Sequence, residues 1–217
     1  MVDIGKAIEF PTKDKEWLTK IVVGGILSII PVINFIAAGY ELKVMRNAIN
    51  KKPAMPRWEN FGGLFVDGLV VFIISLIYMI VPIIVFVATA AVWGLSLFSI
   101  GRFMGCPFAL VAAFLPLIAI TLVFAIIIGF ILPMAIALYA SSKNVGKAFK
   151  FGEILNRIKS VFGEYIVAYV FILILGIIIG AIAMIPYIGW IIALFVTFYI
   201  GVVSSNLFGE LYAKSKA

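Results

Sequence analysis

The stretch that decides the fold is MIPYIGW at residues 184–190, which lies near the middle of an uncharged run at residues 165–209. One membrane-spanning helix needs about 20 apolar residues, and this run is more than twice that length. Pro186 lacks a backbone donor and disfavours helix at the residue before it, while Gly189 permits backbone angles that other residues avoid. The pattern predicts two membrane spans joined by a turn, with Pro186 and Gly189 at its tip.

The composition places the whole chain in the membrane class. Of the 217 residues, 65% are hydrophobic and 12% are charged, and the mean hydropathy is +1.22. Soluble domains are about 45–50% apolar and about 25% charged. The apolar runs are unbroken rather than alternating, which favours helices over a β-barrel. We therefore predict an all-α, polytopic helical membrane protein forming a single integral membrane domain over residues 1–217.

The residue types that are absent or rare in the chain argue against several classes of function. The chain has no His and one Cys, Cys106, which excludes an internal disulfide and a His-based metal site or general base. No glycine-rich phosphate loop or pair of catalytic carboxylates is found. The net charge of +7 fits basic residues flanking membrane spans better than nucleic-acid binding. We expect no enzymatic activity, no cofactor, no metal and no nucleic acid, with membrane lipids as partners.

The uncharged run at residues 21–40 contains Pro31 and leaves two interpretations open. One is a single span kinked at Pro31, and the other is a short hairpin with its tip at residues 31–34. We favour the hairpin. Residues 69–92 predict one further span with a kink at Pro82. The total is about six membrane segments. A full span needs about 20 apolar residues, and the two arms of the first hairpin are counted as shorter segments.

The second half of the middle region is predicted as a loop followed by a span. Residues 94–106 read as a loop in which Arg102 is the only charge, and residues 109–139 read as one span kinked at Pro116 or Pro133.

Each of the three hairpin units is preceded by a segment suited to the membrane interface. Residues 4–10 place Ile4, Ala7 and Ile8 on one helical face, and residues 58–69 repeat aromatic and apolar side chains at helical spacing. The clearest amphipathic helix covers residues 151–162, where apolar residues recur at i, i+3, i+4, i+7 and i+11.

Three short matches suggest an internal repeat in the same orientation. IGKAIEF (4–10) resembles VGKAFKF (145–151), IIPVINF (29–35) resembles MIPYIGW, and GYEL (39–42) resembles FGEL (208–211). Both arms of the first copy are 14 residues shorter, or about 21 Å of helix, so the first hairpin is short enough to be re-entrant. The predicted units are residues 4–52, 57–142 and 145–214. Chance similarity between apolar segments is the alternative.

The charges predict the orientation. If every hairpin starts and ends on one side, all 17 Lys and Arg residues except Arg102 share that side. Orientation follows the Lys and Arg bias of short loops. We therefore expect a multi-pass protein of the cell membrane with both termini in the cytoplasm.

Uncharged polar residues in the apolar runs are candidates for a functional patch. Such residues often form hydrogen bonds between helices, and the alternative is a shared polar site. The candidate patch consists of Asn34, Ser204, Ser205 and Asn206.

Two further sets of residues stand out by position. Glu41 and Glu210 are equivalent in the repeat and are candidates for a carboxylate pair at the cytoplasmic mouth, although pairing with nearby Lys or Arg is the simpler interpretation. Gly176 and Gly180 form a Gly-x-x-x-Gly pair, which permits close helix packing. We expect this packing within the chain, with dimer formation as the alternative.

A resemblance to a known family rests on several short blocks. They are IGKA (4–7) with Phe10, Trp17 with Leu18, IPV (30–32) with Gly39 and Tyr40, then Pro56, Trp58 and Phe61, and LFVDG (64–68). The chain resembles an uncharacterised family of archaeal and bacterial multi-pass membrane proteins, domain of unknown function 4013. The MIPYIGW turn is also similar to turns in the membrane region of some glycerophosphodiesterases. The resemblance implies a membrane location and no particular activity.

Two functional hypotheses follow from the sequence. The first is a non-catalytic membrane-organising or scaffold role, because shallow hairpins and interfacial helices occupy area in one leaflet. The alternative is a channel or carrier for a small uncharged or lipidic solute, with a site near Asn34 and residues 204–206. A membrane-protein partner or a homo-oligomer is compatible with either hypothesis.

Overall fold

The computed structural model describes residues 4–99 and 107–216, and every secondary-structure element in these ranges is helical. The predicted all-α class is therefore confirmed. Four helical segments are long and apolar enough to cross a membrane, namely Phe61–Ala91, Ile118–Ser142, Phe162–Ala183 and Ile188–Lys214. These segments support a membrane protein.

The described residues form eight α-helices and two short 3-10 segments. The α-helices are α1 (Ile4–Glu9), α2 (Trp17–Ile29), α3 (Asn34–Ile49), α4 (Phe61–Ser99), α5 (Pro107–Ser142), α6 (Phe151–Ser160), α7 (Phe162–Ala183) and α8 (Ile188–Lys214). The 3-10 segments are Pro11–Lys13 and Val145–Phe149.

The chain divides into two compact units. The first comprises Met1–Ile74 with Pro133–Ala217, and the second comprises Ser75–Leu132. The sequence predicts three units, at residues 4–52, 57–142 and 145–214. The first compact unit contains the first and the third of these predicted units, together with residues 57–74 and 133–142 of the second. All of the sites described below belong to the first compact unit.

The turn between α2 and α3 and the turn between α7 and α8 each contain a proline. α2 ends at Ile29 and α3 begins at Asn34, so residues 21–40 are two helices rather than a single kinked helix. Pro31 and Pro186 are each followed by a residue with positive φ, Val32 at 72° and Tyr187 at 61°. A non-glycine residue rarely adopts this conformation.

The structure corrects the expected role of Gly189. No glycine among the described residues has positive φ, and the left-handed position in this turn is Tyr187. Gly189 lies inside α8, where a Cβ would come within 2.1 Å of the carbonyl oxygen of Ile182. Its role is therefore close packing of α8 against the end of α7.

The middle region differs from the sequence prediction in two ways. α4 is continuous from Phe61 to Ser99, so the expected interfacial segment at residues 58–69 is mostly the first part of that helix. Residues 94–99, predicted as loop, are helical. The remainder of that loop, with Arg102 and Cys106, lies outside the described residues. The kinks at Pro82 and at Pro116 or Pro133 stay predictions.

Glycines let the backbone of α3 touch the helices beside it. A Cβ on Gly39 would lie 1.9 Å from the carbonyl oxygen of Leu64 in α4, and one on Gly68 would lie 1.8 Å from that of Phe35 in α3. On the α8 side, a Cβ on Gly209 would lie 2.7 Å from Cβ of Ala48. Real Cβ atoms do not approach other heavy atoms this closely, so these interfaces require glycine.

The same kind of contact joins α2 to α8, but it is not found at the expected pair on α7. Gly24 and Gly25 face the rings of Phe198 and Phe195, with ideal Cβ positions 2.0 and 2.3 Å from ring carbons. Gly176 and Gly180 are exposed, and a Cβ on either would meet no described atom within 4 Å. The described residues therefore provide no partner for this pair, and both packing within the chain and contact with a second molecule stay predictions.

The glycine contacts generate a matched pair of variants on α4. We expect Gly68→Ala to lower the melting temperature in detergent, because an overpacked contact costs about 1–3 kcal/mol and each kcal/mol is worth about 2–4 °C in a chain of this size. Gly62→Ala, where a Cβ meets no described atom within 4 Å, should leave stability unchanged or slightly raised. Equal melting temperatures for the two variants would contradict the packing.

Candidate functional site

The carboxyl group of Glu41 lies between α3 and α8. An ideal Cβ on Gly201 would be 2.0 Å from Glu41 Oε1, so the missing side chain of Gly201 provides the space that the carboxyl group occupies. Glu41 is only partly exposed. Within the described part of the chain it has no hydrogen bond or ion pair.

The register between α3 and α8 determines where Glu41 lies. Glu41 faces Gly201 and Ala48 faces Gly209, so the two helices run parallel. Glu210 follows Gly201 by nine residues, which is about 13 Å along a helix. The structure therefore does not bring Glu41 and Glu210 together, and the expected carboxylate pair at one mouth is wrong. Glu41 lies closer than Glu210 to the turn at Pro186.

Burial raises the pKa of the Glu41 carboxyl group to about 8, because removal from water disfavours the charged form. Two cations on α2 and α3 have other partners, since Lys20 Nζ lies 2.6 Å from Asp14 Oδ2 and Arg46 binds Asp67. Between pH 4.5 and about 8 the Glu41 carboxyl group is therefore mostly protonated in the folded chain and mostly ionised in the unfolded chain.

Glu41 should make stability depend on pH. The folded chain holds a proton that the unfolded chain releases above pH 4.5, so the stability contributed by Glu41 falls as pH rises from 4.5 to about 8. We expect Glu41→Gln to raise the melting temperature more at about pH 9 than at about pH 5. The exposed Glu59 is the control, and Glu59→Gln should follow the wild type at both pH values. A Glu41→Gln effect that is the same at both pH values would contradict this account.

An ion pair between Arg46 and Asp67 joins α3 to α4, and a further bond from Arg46 reaches α5. The Arg46 guanidinium binds both carboxylate oxygens of Asp67, with Nη2 to Oδ1 at 3.1 Å, and its Nε donates to the carbonyl oxygen of Ala140 at 3.2 Å. The guanidinium also lies 5.8 Å from the ring centroid of Tyr139. Asp67 and Gly68, in the LFVDG block, thus have separate roles: Asp67 holds Arg46 and Gly68 admits the backbone of α3.

A second cluster fixes the segment at residues 50–60 onto the helices. The Tyr40 hydroxyl donates to the carbonyl oxygen of Pro56 at 2.9 Å, and its ring stacks on Trp58 with centroids 4.1 Å apart. Lys20 Nζ donates to Asp14 Oδ2 and, at 3.2 Å, to the carbonyl oxygen of Met55. Trp58 is therefore part of this cluster and packs the segment against Tyr40 of α3.

The charge of Lys20 also affects Asp14. Burial opposes ionisation of the carboxyl group, but the hydrogen bonds from Lys20 Nζ and the Glu16 N–H and the charge of Lys20 hold the pKa of Asp14 below its ordinary value of 3.8. Asp14 thus stays ionised beside Lys20 at neutral pH.

The structure brings only some residues of the candidate polar patch close together. Asn34 is exposed at the start of α3, whereas Ser205 and Asn206 are buried in α8. Asn34 lies seven residues before Glu41, and Asn206 lies five residues after Gly201. The parallel register then separates them by about 18 Å. Ser204, Ser205 and Asn206 remain neighbours, and the expected inclusion of Asn34 is wrong.

Asn206 and Glu210 line an open cavity of about 490 Å³. Asn206 Nδ2 donates to Glu210 Oε1 at 2.9 Å, while Asn206 Oδ1 is buried and has no hydrogen-bond partner among the described residues. The other lining residues come from the N-terminal segment, the segment at residues 50–60 and the end of α8, and they are Lys6, Ala7, Phe10, Lys13, Asp14, Pro53, Ala54, Met55 and Lys214. Sequence reasoning identified Asn206 and Glu210 but had no signal that α1 packs against this end of α8.

A family of known proteins matches this chain. The family described as protein of unknown function (DUF4013) matches residues 23–188, which is more than half of the chain. Those residues include α3, the glycine contacts to α4, Glu41 and the Arg46–Asp67 pair. Neither the curated proteins nor the solved structures contain a match.

Proposed function

Because the chain belongs to the DUF4013 family, whose description names no activity, we propose a function from its own geometry: a non-catalytic membrane-organising role. The protein would lie in the cell membrane with both termini in the cytoplasm and would act on lipids by occupying area in the inner leaflet. It would perform no chemical reaction. The orientation rests on the Lys and Arg bias of the loops.

The observation that carries this proposal is the two-sided apolar surface of α6. Ile154 and Ile158 are buried, whereas Phe151 and Leu155 are exposed. Phe162, two residues after the end of α6, is also exposed and begins a candidate membrane span. An amphipathic helix at such a place can insert its apolar side about 5–10 Å into the headgroup and acyl boundary. Inserted there, α6 adds area to one leaflet only.

The short helices before the first turn support the same role. α2 has 13 residues and α3 has 16, fewer than the roughly 20 that a span needs. Pro31 lies ten residues before Glu41, level with about residue 191 of α8 in the parallel register. The turn at Pro31 thus stops roughly 7 Å short of the turn at Pro186. The sequence predicts a larger difference in depth, of about 21 Å. The smaller difference still places more protein in the leaflet at the polar ends of the helices.

The role predicts a preference for curved membranes. Protein reconstituted into a mixture of small and large vesicles, with its polar side outward, should be enriched on the small vesicles by about twofold or more, because curvature opens room for inserted apolar side chains. Phe151→Ser with Leu155→Ser should remove the enrichment. The control, Phe151→Leu with Leu155→Met, keeps the apolar surface and should keep the preference. Equal density of the wild type on both vesicle sizes would contradict the proposal.

A second candidate function is favoured by Glu41. A channel or carrier for a small uncharged or lipidic solute can use a protonatable carboxyl group inside the helix bundle, and Glu41 occupies such a place beside Gly201. The same vesicles discriminate between the candidates. Solute uptake that responds to a pH difference and is lost in Glu41→Gln would favour passage, whereas unchanged permeability would favour the membrane-organising role.

A further inference from the structure

Helix α2 has an exposed apolar face that is much shorter than the exposed apolar face of α7. We propose that the bilayer beside α2 is locally thinned and that phospholipids exchange between the two leaflets there without an energy source. The proposal deepens the membrane-organising role and rests on it for placing the chain in lipid. It concerns a different surface from that of α6.

The exposed apolar face of α2 has a defined height. Leu18, Val22, Ile26 and Ile30 recur at intervals of four residues, and each is 39–59% exposed. From Leu18 to Ile30 the chain rises about 18 Å. The hydrocarbon core of a bilayer is about 30 Å thick. The face therefore covers little more than half of the core.

Polar residues end this face at the start of α2. Lys15 and Glu16 are exposed immediately before the helix, and Trp17, its first residue, packs edge-on against Tyr199 with ring centroids 6.3 Å apart. Trp and Tyr side chains are enriched at the boundary between headgroups and hydrocarbon. The boundary beside α2 therefore lies near Tyr199, in the middle of α8.

The other end of the face is the turn at Pro31. Residues 30–34 are all exposed. They include the side-chain amide of Asn34 and the backbone groups at two helix ends, which lack partners within their own helices. Polar groups of this kind are costly in hydrocarbon. Headgroups and water of the far leaflet are therefore drawn toward the turn.

Helix α7, in the same compact unit, has an apolar face that fits an ordinary bilayer. Its exposed apolar residues extend as far as the turn, from Ile166 to Ile185, a rise of about 28 Å. Glu164, just before them, bonds Lys214, the last residue of α8, at 3.0 Å. α7 thus begins nearer than α2 to the polar end of α8.

A tilt of the protein does not correct the short face. α2 and α7 both pack against α8, and Gly24 and Gly25 hold α2 close to the rings of Phe198 and Phe195. An orientation that suits α7 therefore leaves the face of α2 about 10 Å too short. A bilayer next to a short apolar surface becomes thinner at modest cost.

Thinning lowers the barrier to exchange of lipids between leaflets. A headgroup that crosses an intact bilayer must leave water for the whole hydrocarbon thickness, which is costly for polar and charged groups. Beside α2, only a short apolar surface separates Lys15 from Asn34. This surface has no group that selects a headgroup, so we expect zwitterionic and anionic phospholipids to exchange alike.

Exchange can be measured in large vesicles that contain the full chain and a trace of phospholipid with a dye on its headgroup. Dithionite added outside destroys only the dye in the outer leaflet unless lipids exchange. We expect the inner dye to be lost at least about tenfold faster than in protein-free vesicles, for phosphatidylcholine and phosphatidylglycerol probes. A water-soluble dye trapped inside the vesicles should stay intact.

Variants at the two ends of the α2 face test its role. Lys15→Leu extends the apolar face by about 4.5 Å and Asn34→Leu removes the polar side chain at the turn, so the double variant should slow exchange by several fold. Lys15→Arg with Asn34→Gln keeps polar groups at both ends and should exchange at the wild-type rate. Both positions are exposed, so all three proteins should have similar melting temperatures.

The outcomes separate this proposal from the proposed function. Exchange no faster than in protein-free vesicles would overturn lipid exchange, as would equal rates in the two double variants. Loss of the trapped dye would assign the signal to a pore and would overturn it as well. Vesicle sorting without exchange refutes only this proposal, whereas exchange without sorting refutes only the role of α6.

Discussion

The structure depends on the contact between the backbone of α3 and the helices on either side of it. Within a membrane, apolar side chains gain little by leaving lipid, so helices associate through close packing, small residues and hydrogen bonds. Gly39 and Gly68 let α3 and α4 meet at their backbones, and Gly209 does the same between α3 and α8. Because glycine is the only residue that fits these contacts, they determine how far α3 can slide along its neighbours.

The positions of the polar groups follow from that register. Arg46 reaches Asp67 and the carbonyl oxygen of Ala140, and Tyr40 meets Trp58. Glu41 comes to Gly201, where its carboxyl group has space but no partner among the described residues. The ion pair of Arg46 and the hydrogen bond from the Tyr40 hydroxyl to Pro56 satisfy polar groups that α3 carries, whereas Glu41 remains a protonatable group between two helices. Such a group is a cost to stability that a functional role would explain.

Much of the fold follows from the sequence, because lipid selects long apolar helices and proline interrupts them. The helical class, the turn residues Pro31 and Pro186 and the amphipathic character of residues 151–160 could be predicted in this way. The helix partners could not. Gly176 and Gly180 have the spacing of a packing pair, yet they are exposed. Gly39 and Gly68 lie on different helices, so no spacing within one helix reveals them.

The candidate site was predictable to a similar extent. Asn206 and Glu210 were recognised as polar residues beside an apolar run, and both line the cavity. Lys6 and Lys13 were not, since their place depends on α1 packing near α8, two elements almost 200 residues apart. The depth of Glu41 was misjudged because the predicted repeat equates it with Glu210, whereas the contacts place it beside Gly201. Sequence similarity between two segments says nothing about their register when they pack together.

The most direct measurement of this account is cross-linking between α3 and α8 in a Cys106→Ser background. Oxidation should join Glu41→Cys to Gly201→Cys, because an ideal Cβ on Gly201 lies 2.6 Å from the carboxyl carbon of Glu41, and replacing Glu41 clears the space that a Cys side chain at position 201 would fill. Glu41→Cys with Glu210→Cys should stay unlinked, being about 13 Å apart along the helix axis. A disulfide in the second pair and none in the first would show that α3 sits in a different register, and would contradict the positions assigned to Glu41 and its neighbours.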